Sequence, residues 1–360
     1  MTELLESWVR EGTVAGAVAL VDRAGEQEVA AAGVADLATG RPVRRDTIVR
    51  YASITKPVTA AAAMTFVQDG ALGLEDPVER WLPELRGVRV LREPGAGLDD
   101  TVPPERPITV TDVLTSCCGW GFPSTFEGAW VERLLTLQPG LEIDLMQPPD
   151  RWIADLAAVP LRHQPGQAFL YGTSYDLLGV LLSRVAGRPF PEVVSDRVLR
   201  PLGMRDAGFH VTDLDRFCAA YRSTGNGLEP TDSADGRWGA PPAFPSGAGG
   251  LVGTLDDWYA FARELLVPGR VLSPESVRLM TTNHLGQGQR REGELFLQAE
   301  GWGFGGSVHP DTGRYGWVGG SGTSAHVVPT TATVGILLTQ TEFGSPVTPA
   351  FLEEFWSCAF

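Results

Sequence analysis

Tyr51-Ala52-Ser53-Ile54-Thr55-Lys56 decides how the rest of the chain is read, because Lys56 is the only lysine among 360 residues and every other strongly basic side chain is an arginine. An arginine keeps its charge at any accessible pH, whereas a lysine amine can accept, donate or relay a proton. A site that needs a titratable amine cannot use arginine. The residues that follow, through Ala60-Ala61-Ala62-Ala63-Met64 to Gln68, are strong helix formers, so a helix is predicted to start at Ser53 with Lys56 one turn later. Residues three apart share a helix face, which sets the amine over the hydroxyl in the outline of an activated nucleophile. The plain alternative is a helix-capping serine beside a solvated lysine, and a lone S-x-x-K does not decide between them.

The chain is long enough for one large domain or two lobes with a real apolar core. Its 44 acidic and 29 basic residues give a net charge of -15, which disfavours a nucleic-acid backbone or an anionic membrane as partner. Residues 1 to 7 lack the basic and apolar regions of a secretory signal and no run reaches transmembrane length, so a soluble, cytoplasmic protein is expected. Cys117, Cys118, Cys218 and Cys358 show no metal-ligand spacing and are expected to be buried free thiols.

A short amphipathic helix over 3 to 11 and strands at 14 to 21 and 28 to 32 open the chain. Helical patterns at 109 to 116, 126 to 136, 150 to 158, 174 to 186 and 190 to 200, separated by Pro and Gly, suggest an all-helical lobe. Two long loops, 91 to 107 and 222 to 250, follow the composition of functional or mobile segments, the second being a candidate lid. A helix at 255 to 266, strands at 302 to 308, 314 to 319, 324 to 329 and 332 to 339, and a helix at 346 to 358 complete the pattern. Neither strand group makes a stable sheet alone, so the economical fold is α/β (α+β): one antiparallel sheet flanked by helices, plus an inserted helical lobe. The expected division is an α/β domain of residues 1–68 and 235–360 around a helical domain of 69–234, with a site in the groove between them.

Two further stretches carry chemistry. In Gln164-Pro165-Gly166-Gln167-Ala168-Phe169-Leu170-Tyr171-Gly172-Thr173-Ser174-Tyr175-Asp176 a turn runs into a helix and delivers Tyr171 at the junction. In Gly316-Trp317-Val318-Gly319-Gly320-Ser321-Gly322-Thr323 glycines in a strand permit close approach by a ligand. In this order and spacing the three stretches resemble the motifs of the serine β-lactamase and penicillin-binding-protein superfamily, most closely class C β-lactamases and family VIII carboxylesterases. Segments 69–78, 108–115 and 247–254 share the family's look.

The resemblance implies the β-lactamase-like fold, Ser53 as nucleophile, Lys56 as its proton partner and Tyr171 as the base that shuttles the proton to the leaving group. A free phenol, which titrates near ~10, is a poor base at neutral pH, but a neighbouring ammonium favours the phenolate. The implied oxyanion hole is the backbone N–H of Ser53 and of Gly320. Two positions depart from the family pattern. Thr173 replaces the usual asparagine, which removes an amide from the substrate's surroundings. Trp317 replaces the cation that binds a substrate carboxylate in β-lactamases and peptidases, which disfavours those substrates. Thr173, Trp317, Gly319, Trp120 and Trp238 form the expected substrate-binding set, and Trp130 is a further groove candidate.

The implied activity is that of a serine carboxylesterase on small uncharged esters. Acyl transfer to an alcohol or amine, amidase, aminopeptidase or weak β-lactamase action, and a non-catalytic binding scaffold are the alternatives. The five histidines are scattered without H-E-x-x-H, so no metal is implied; G-x-S-x-G is absent; and Gly301-Trp302-Gly303-Phe304-Gly305-Gly306 opens no βαβ unit, so no dinucleotide or other cofactor is expected. The expected partner is a small ester or acyl donor.

Overall fold

The protein is described by a computed structural model that covers residues 1–360 except 143–144, 225–226 and 346. Its centre is an eight-stranded sheet: β1 Gly16–Arg23, β2 Glu26–Asp36, β3 Arg41–Pro42, β4 Gly301–Trp302, β5 Ser307–Val308, β6 Tyr315–Gly319, β7 Thr323–Val328 and β8 Thr333–Thr339, in the spatial order β4-β5-β6-β7-β8-β1-β2-β3. Every neighbouring pair is antiparallel. The two ends of the chain meet at the β1–β8 seam, where Ala17 faces Thr339 and Leu20 faces Ile336. Neither the N-terminal hairpin nor the C-terminal meander has to stand alone, because each completes the other.

Both faces of the sheet are covered, so β1 and β8 read as unbroken apolar runs rather than alternating ones. Ala17, Ala19 and Val21 point to a layer formed by α1 Thr2–Arg10 and α5 Ala350–Ala359, with Leu5, Trp8, Phe351, Leu352 and Phe355. Val18, Leu20, Ile336 and Leu338 belong to the main core with Ile54, Val58, Trp258 and Phe261, the last two from α4 Leu255–Leu266. Full burial of such side chains stabilises by ~1.5–3 kcal/mol each. The final helix expected over 346 to 358 begins at 350; residue 346 lies outside the described residues. Cys117, Cys118 and Cys218 are buried free thiols, but Cys358 is exposed, because it lies on the outer face of α5 with Glu354 while Leu352, Phe355 and Ala359 face inward.

The helix α2 Lys56–Gln68 is buried on every side from Lys56 to Phe66, as expected of a helix that is apolar all round. Its alanines leave room for close neighbours, among them α3 Thr173–Ala186. Between residues 69 and 234 most of the regular elements are helices, joined by long irregular connections, with short hairpins at Val90–Leu91/Thr101–Val102 and Ala220–Ser223/Leu228–Asp232. No helix among the described residues is long and apolar enough to cross a membrane.

One strand differs from expectation. Residues 302 to 308 are not a single strand but β4 and β5 with a turn between them. Gly305 makes that turn with φ +91°, and a Cβ there would lie 2.7 Å from the carbonyl oxygen of Lys56. The glycine-rich stretch 301–306 therefore serves a close backbone approach to the start of α2, which alternation of residue types does not reveal.

A second close approach fixes the segment before Ser53. Tyr51 is fully buried, and its hydroxyl donates to the carbonyl of Thr254 at 2.5 Å. A Cβ on Gly253 would meet that hydroxyl at 2.4 Å and Cζ at 2.6 Å. Gly253→Ala is therefore expected to destabilise the protein by ~1–3 kcal/mol through overpacking, read as a lower denaturant midpoint at unchanged slope.

Candidate active site

Ser53 stands half-buried in a single 3₁₀ turn, Ala52–Thr55, which leads directly into α2. The residue before it, Ala52, has φ +47°. An alanine in the left-handed region carries a backbone cost of ~1–3 kcal/mol that the surroundings must hold in place. They do so from two sides. Gly319 of β6 packs so closely beneath the turn that a Cβ on it would lie 2.4 Å from the carbonyl oxygen of Tyr51 and 3.3 Å from Ala52 Cβ. The Thr323 hydroxyl donates to that same Tyr51 carbonyl at 2.8 Å. Gly319, expected to contact substrate, instead seats the turn on the sheet.

Lys56 is 2% exposed, and its Nζ has three acceptors: Ser53 Oγ at 2.8 Å, Ala248 O at 2.8 Å and Tyr171 Oη at 3.2 Å. An ammonium has three donors, so this environment satisfies the charged form completely. Nζ also lies 4.7 Å from the centre of the Tyr171 ring. The structure thus brings Ser53, Lys56 and Tyr171 together, and the amine is the bridge between the two oxygens.

Tyr171 is held by its backbone and by its hydroxyl. Its N–H and C=O pair with those of Phe122 at 3.0 and 2.8 Å, and Gly172, at φ +101°, turns the chain into α3. The hydroxyl accepts from the indole N–H of Trp317 at 2.7 Å. Trp317 lines the cavity as expected, but its polar edge belongs to Tyr171. The Tyr171 oxygen therefore faces two donors, Lys56 and Trp317.

A further group, to which the sequence reading gave no role, stands behind Lys56. Asp176 is 3% exposed and accepts from Ser246 Oγ at 2.6 Å, Gln138 Nε2 at 2.5 Å and the Ala248 N–H at 3.1 Å. Burial pushes its carboxyl up, against the opposing pull of these hydrogen bonds and of Lys56. By fixing the Ala248 amide, Asp176 also aims the Ala248 carbonyl that accepts from Lys56. Thr173, expected at the substrate, is fully buried and donates to Gln138 Oε1. Its short hydroxyl does not reach past that amide, so Gln138 and not Thr173 lines the cavity. An acid on the buried side of the apolar helix 173–186 was the available signal for Asp176.

These groups border a cavity of about 300 Å³. Ser53, Gly320, Trp317 and Trp238 line it, with an apolar wall that includes Phe122, Phe126, Leu141 and Phe296. Trp120 does not: it is fully buried, and its indole donates to the Val159 carbonyl at 2.9 Å. Trp130 likewise donates to the Pro160 carbonyl from the core. Both lie in loop-rich sequence, but each indole finds a backbone acceptor inside. Arg50 borders the cavity and is engaged with the Cys218 carbonyl at 2.8 Å and Asp232 at 2.6 Å, while Arg237 meets Asp232 at 3.5 Å. No cluster of His, Cys, Asp or Glu that could hold a metal occurs among the described residues.

The family model named Beta-lactamase matches residues 2–351. Protein Rv1367c of Mycobacterium tuberculosis is 38% identical over 352 residues, spanning 91% of this chain and 86% of that protein. Esterase EstB of Burkholderia gladioli is 34% identical over 321 residues, 82% of this chain and 76% of the esterase. Among solved structures, EstCE1, described as a hydrolase with promiscuous acyltransferase activity, superposes with a TM-score of 0.83 at 28% identity over 99% of this chain and 96% of its own. Sequence and fold agree that the chain belongs to the beta-lactamase family, as a serine hydrolase of the β-lactamase and penicillin-binding-protein-like superfamily.

Proposed function

We propose that the protein is a carboxylesterase for small uncharged esters, working through an acyl-enzyme on Ser53. The observation that carries the reading is the bridge made by Lys56 Nζ between Ser53 Oγ and Tyr171 Oη. In acylation, Ser53 Oγ attacks the ester carbonyl carbon as its proton passes to Nζ and Nζ passes another to the Tyr171 phenolate. The oxyanion that forms is met by the N–H groups of Ser53 and Gly320. Collapse breaks the bond to the leaving oxygen, which takes the proton from Tyr171. Water then enters at the same position and gives a proton to Tyr171 as its oxygen bonds to the acyl carbon; the Ser53 Oγ–carbon bond breaks, Oγ regains a proton from Tyr171 through Lys56, and the acid is released.

The preference for uncharged esters is supported by Trp317 at the position where a substrate carboxylate would need a cation. Of the two arginines that border the cavity, Arg50 is engaged by the Cys218 carbonyl and Asp232, and Arg237 also meets Asp232. The similarity to EstB points the same way. Acyl transfer is a second reading, favoured by the apolar wall, which suits an alcohol better than water, and by the likeness to EstCE1.

Intact-protein mass spectrometry tests the acyl-enzyme. A serine-directed phosphonate is expected to add once to the wild type and not to Ser53→Ala, and Lys56→Ala and Tyr171→Phe are each expected to lower ester turnover by ~10²–10⁴-fold. A label that survives in Ser53→Ala would move the nucleophile elsewhere.

Trp317→Phe keeps an aromatic ring but removes the donor to Tyr171 Oη. A hydrogen bond to a charged group contributes about 1.5–3 kcal/mol, so kcat is expected to fall by ~10–100-fold, with a smaller change in KM; an unchanged kcat would show that the indole N–H has no part in the proton transfer.

Asp176→Asn removes the buried negative charge while the polar contacts can re-form, because the Gln138 amide can turn over and the Thr173 hydroxyl can accept instead of donate. The variant is expected to fold and to lose ~10-fold or more in kcat, measured with urea denaturation as the control for stability.

A further inference from the structure

Two sets of side chains line the cavity with Ser53. One is three phenylalanines from two distant parts of the chain, Phe122 and Phe126 from 121–128 and Phe296 from 294–297. The other is Gln138, held by Thr173 and Asp176, and Leu141, whose Cδ2 would be 3.3 Å from a Cβ on Gly320.

The aromatic side is a built structure. Phe122 is paired through its backbone with Tyr171. Two residues on, the Ser124 N–H and Oγ donate to the Glu292 carbonyl at 2.7 and 2.9 Å, and Ser124 Oγ accepts from the Leu295 N–H at 3.0 Å. These bonds tie the segment that bears Phe122 and Phe126 to the one that bears Phe296. The rings then form a continuous series. Phe296 stacks on Tyr171 with centroids 4.4 Å apart and planes 22° apart, Phe126 lies 5.7 Å from Phe296, and Phe122 stacks on Phe126 at 5.4 Å and 8°.

Phe126, between Phe296 and Phe122, lines the cavity and is the exposed member of the series, at 38%. Its φ is +47°, a left-handed conformation that is a genuine outlier for a bulky residue. A large apolar ring is thus held at the surface at a backbone cost, and such outliers gather where a ligand must be met.

Which part of an ester meets this wall follows from the proton transfer. The leaving oxygen must lie within hydrogen-bond reach of the Tyr171 hydroxyl that protonates it. The group attached to that oxygen therefore starts beside Tyr171 and runs along the rings stacked on it. We propose that Phe122, Phe126 and Phe296 form the subsite for the alcohol part of the substrate, and that this part is an aromatic alcohol of benzyl size or larger. The proposal rests on the Ser53 acyl-enzyme and deepens it by assigning the alcohol to one arm of the cavity and the acyl group to the other.

Acylation run backward has the same transition state, so an alcohol that accepts the acyl group occupies the same subsite. Its oxygen gives its proton to the Tyr171 phenolate and bonds to the acyl carbon. The Ser53 Oγ–carbon bond breaks, and Oγ regains a proton through Lys56. No atom or electron is left over. An aromatic alcohol is then expected to capture the acyl group ahead of a small one.

The test uses four esters, the ethyl and benzyl esters of acetic and butyric acid, with the wild type, Phe126→Ala, Phe296→Ala and the conservative Phe126→Tyr. In the wild type kcat/KM is expected to favour benzyl over ethyl. Each alanine variant should reduce that benzyl-to-ethyl ratio by about tenfold, the order of effect of removing one apolar contact from a pocket, and leave the butyrate-to-acetate ratio within about twofold. Phe126→Tyr should retain the wild-type ratio. With vinyl acetate as acyl donor, benzyl alcohol should outcompete ethanol at equal concentration, and Phe126→Ala should erase the difference. A benzyl-to-ethyl ratio that survives in both alanine variants, or a loss that follows the acyl length, overturns the assignment. Phosphonate labelling of Ser53 in the same samples separates the failures: labelled protein with the wrong selectivity overturns this subsite alone, whereas unlabelled, inactive wild type overturns the acyl-enzyme as well.

Discussion

A single buried ammonium sets the terms for this site. Lys56 is almost wholly removed from water, and a cation so placed is tolerated only when each of its donors is met and opposing charge is near. Its three acceptors come from three separate parts of the fold: the turn before α2, the junction before α3, and the segment 246–250. Each then needs its own support. The strained Ala52 turn is held by Gly319 and Thr323, Tyr171 by Phe122 and Trp317, and Ala248 by Asp176. The sheet, the helical region and the loop between them converge on one amine.

That convergence explains why some of the molecule was legible in its sequence and some was not. Ser53 and Lys56 are neighbours along one helix, and Tyr171 lies at a turn with its own spelling, so local pattern and family likeness were enough to bring them together. The β1 and β8 strands, both continuous apolar runs, were equally plain. Contacts made across the chain were not. Nothing in the residues around Gly319 distinguishes a glycine that faces a ligand from one that faces Tyr51. Trp120 and Trp238 share a loop-like context, yet one indole finds a carbonyl in the core and the other a place at the cavity. Phe296 lies among short helical turns without periodicity, and bonds to distant residues, among them those of Ser124 and that of the Phe169 N–H to the Gln289 carbonyl, carry it to Tyr171.

The substitution of tryptophan for a cation in β6 changes more than charge. An indole has one donor and no acceptor, and here that donor is directed inward to Tyr171. The substrate consequently meets only the ring. A residue that in related peptidases is a cation here has its polar edge turned to Tyr171, and under the proposed function the cavity's selectivity falls to shape and apolar contact. Such selectivity is shallow, since one methylene in an apolar pocket changes binding by only ~1–3 kcal/mol.

The arginine-only surface has a chemical meaning of its own. On the proposed acyl-enzyme reading the protein holds activated acyl groups beside solvent and is exposed to its own substrates, and surface lysines are the usual amines to be modified. Guanidinium groups stay protonated and do not compete as nucleophiles. With the sole lysine amine enclosed between Ser53, Tyr171 and Ala248, no lysine on the outside of this protein can intercept an acyl group or be lost to one. The chain's basic residues give it charge without giving it side-chain amines to acylate.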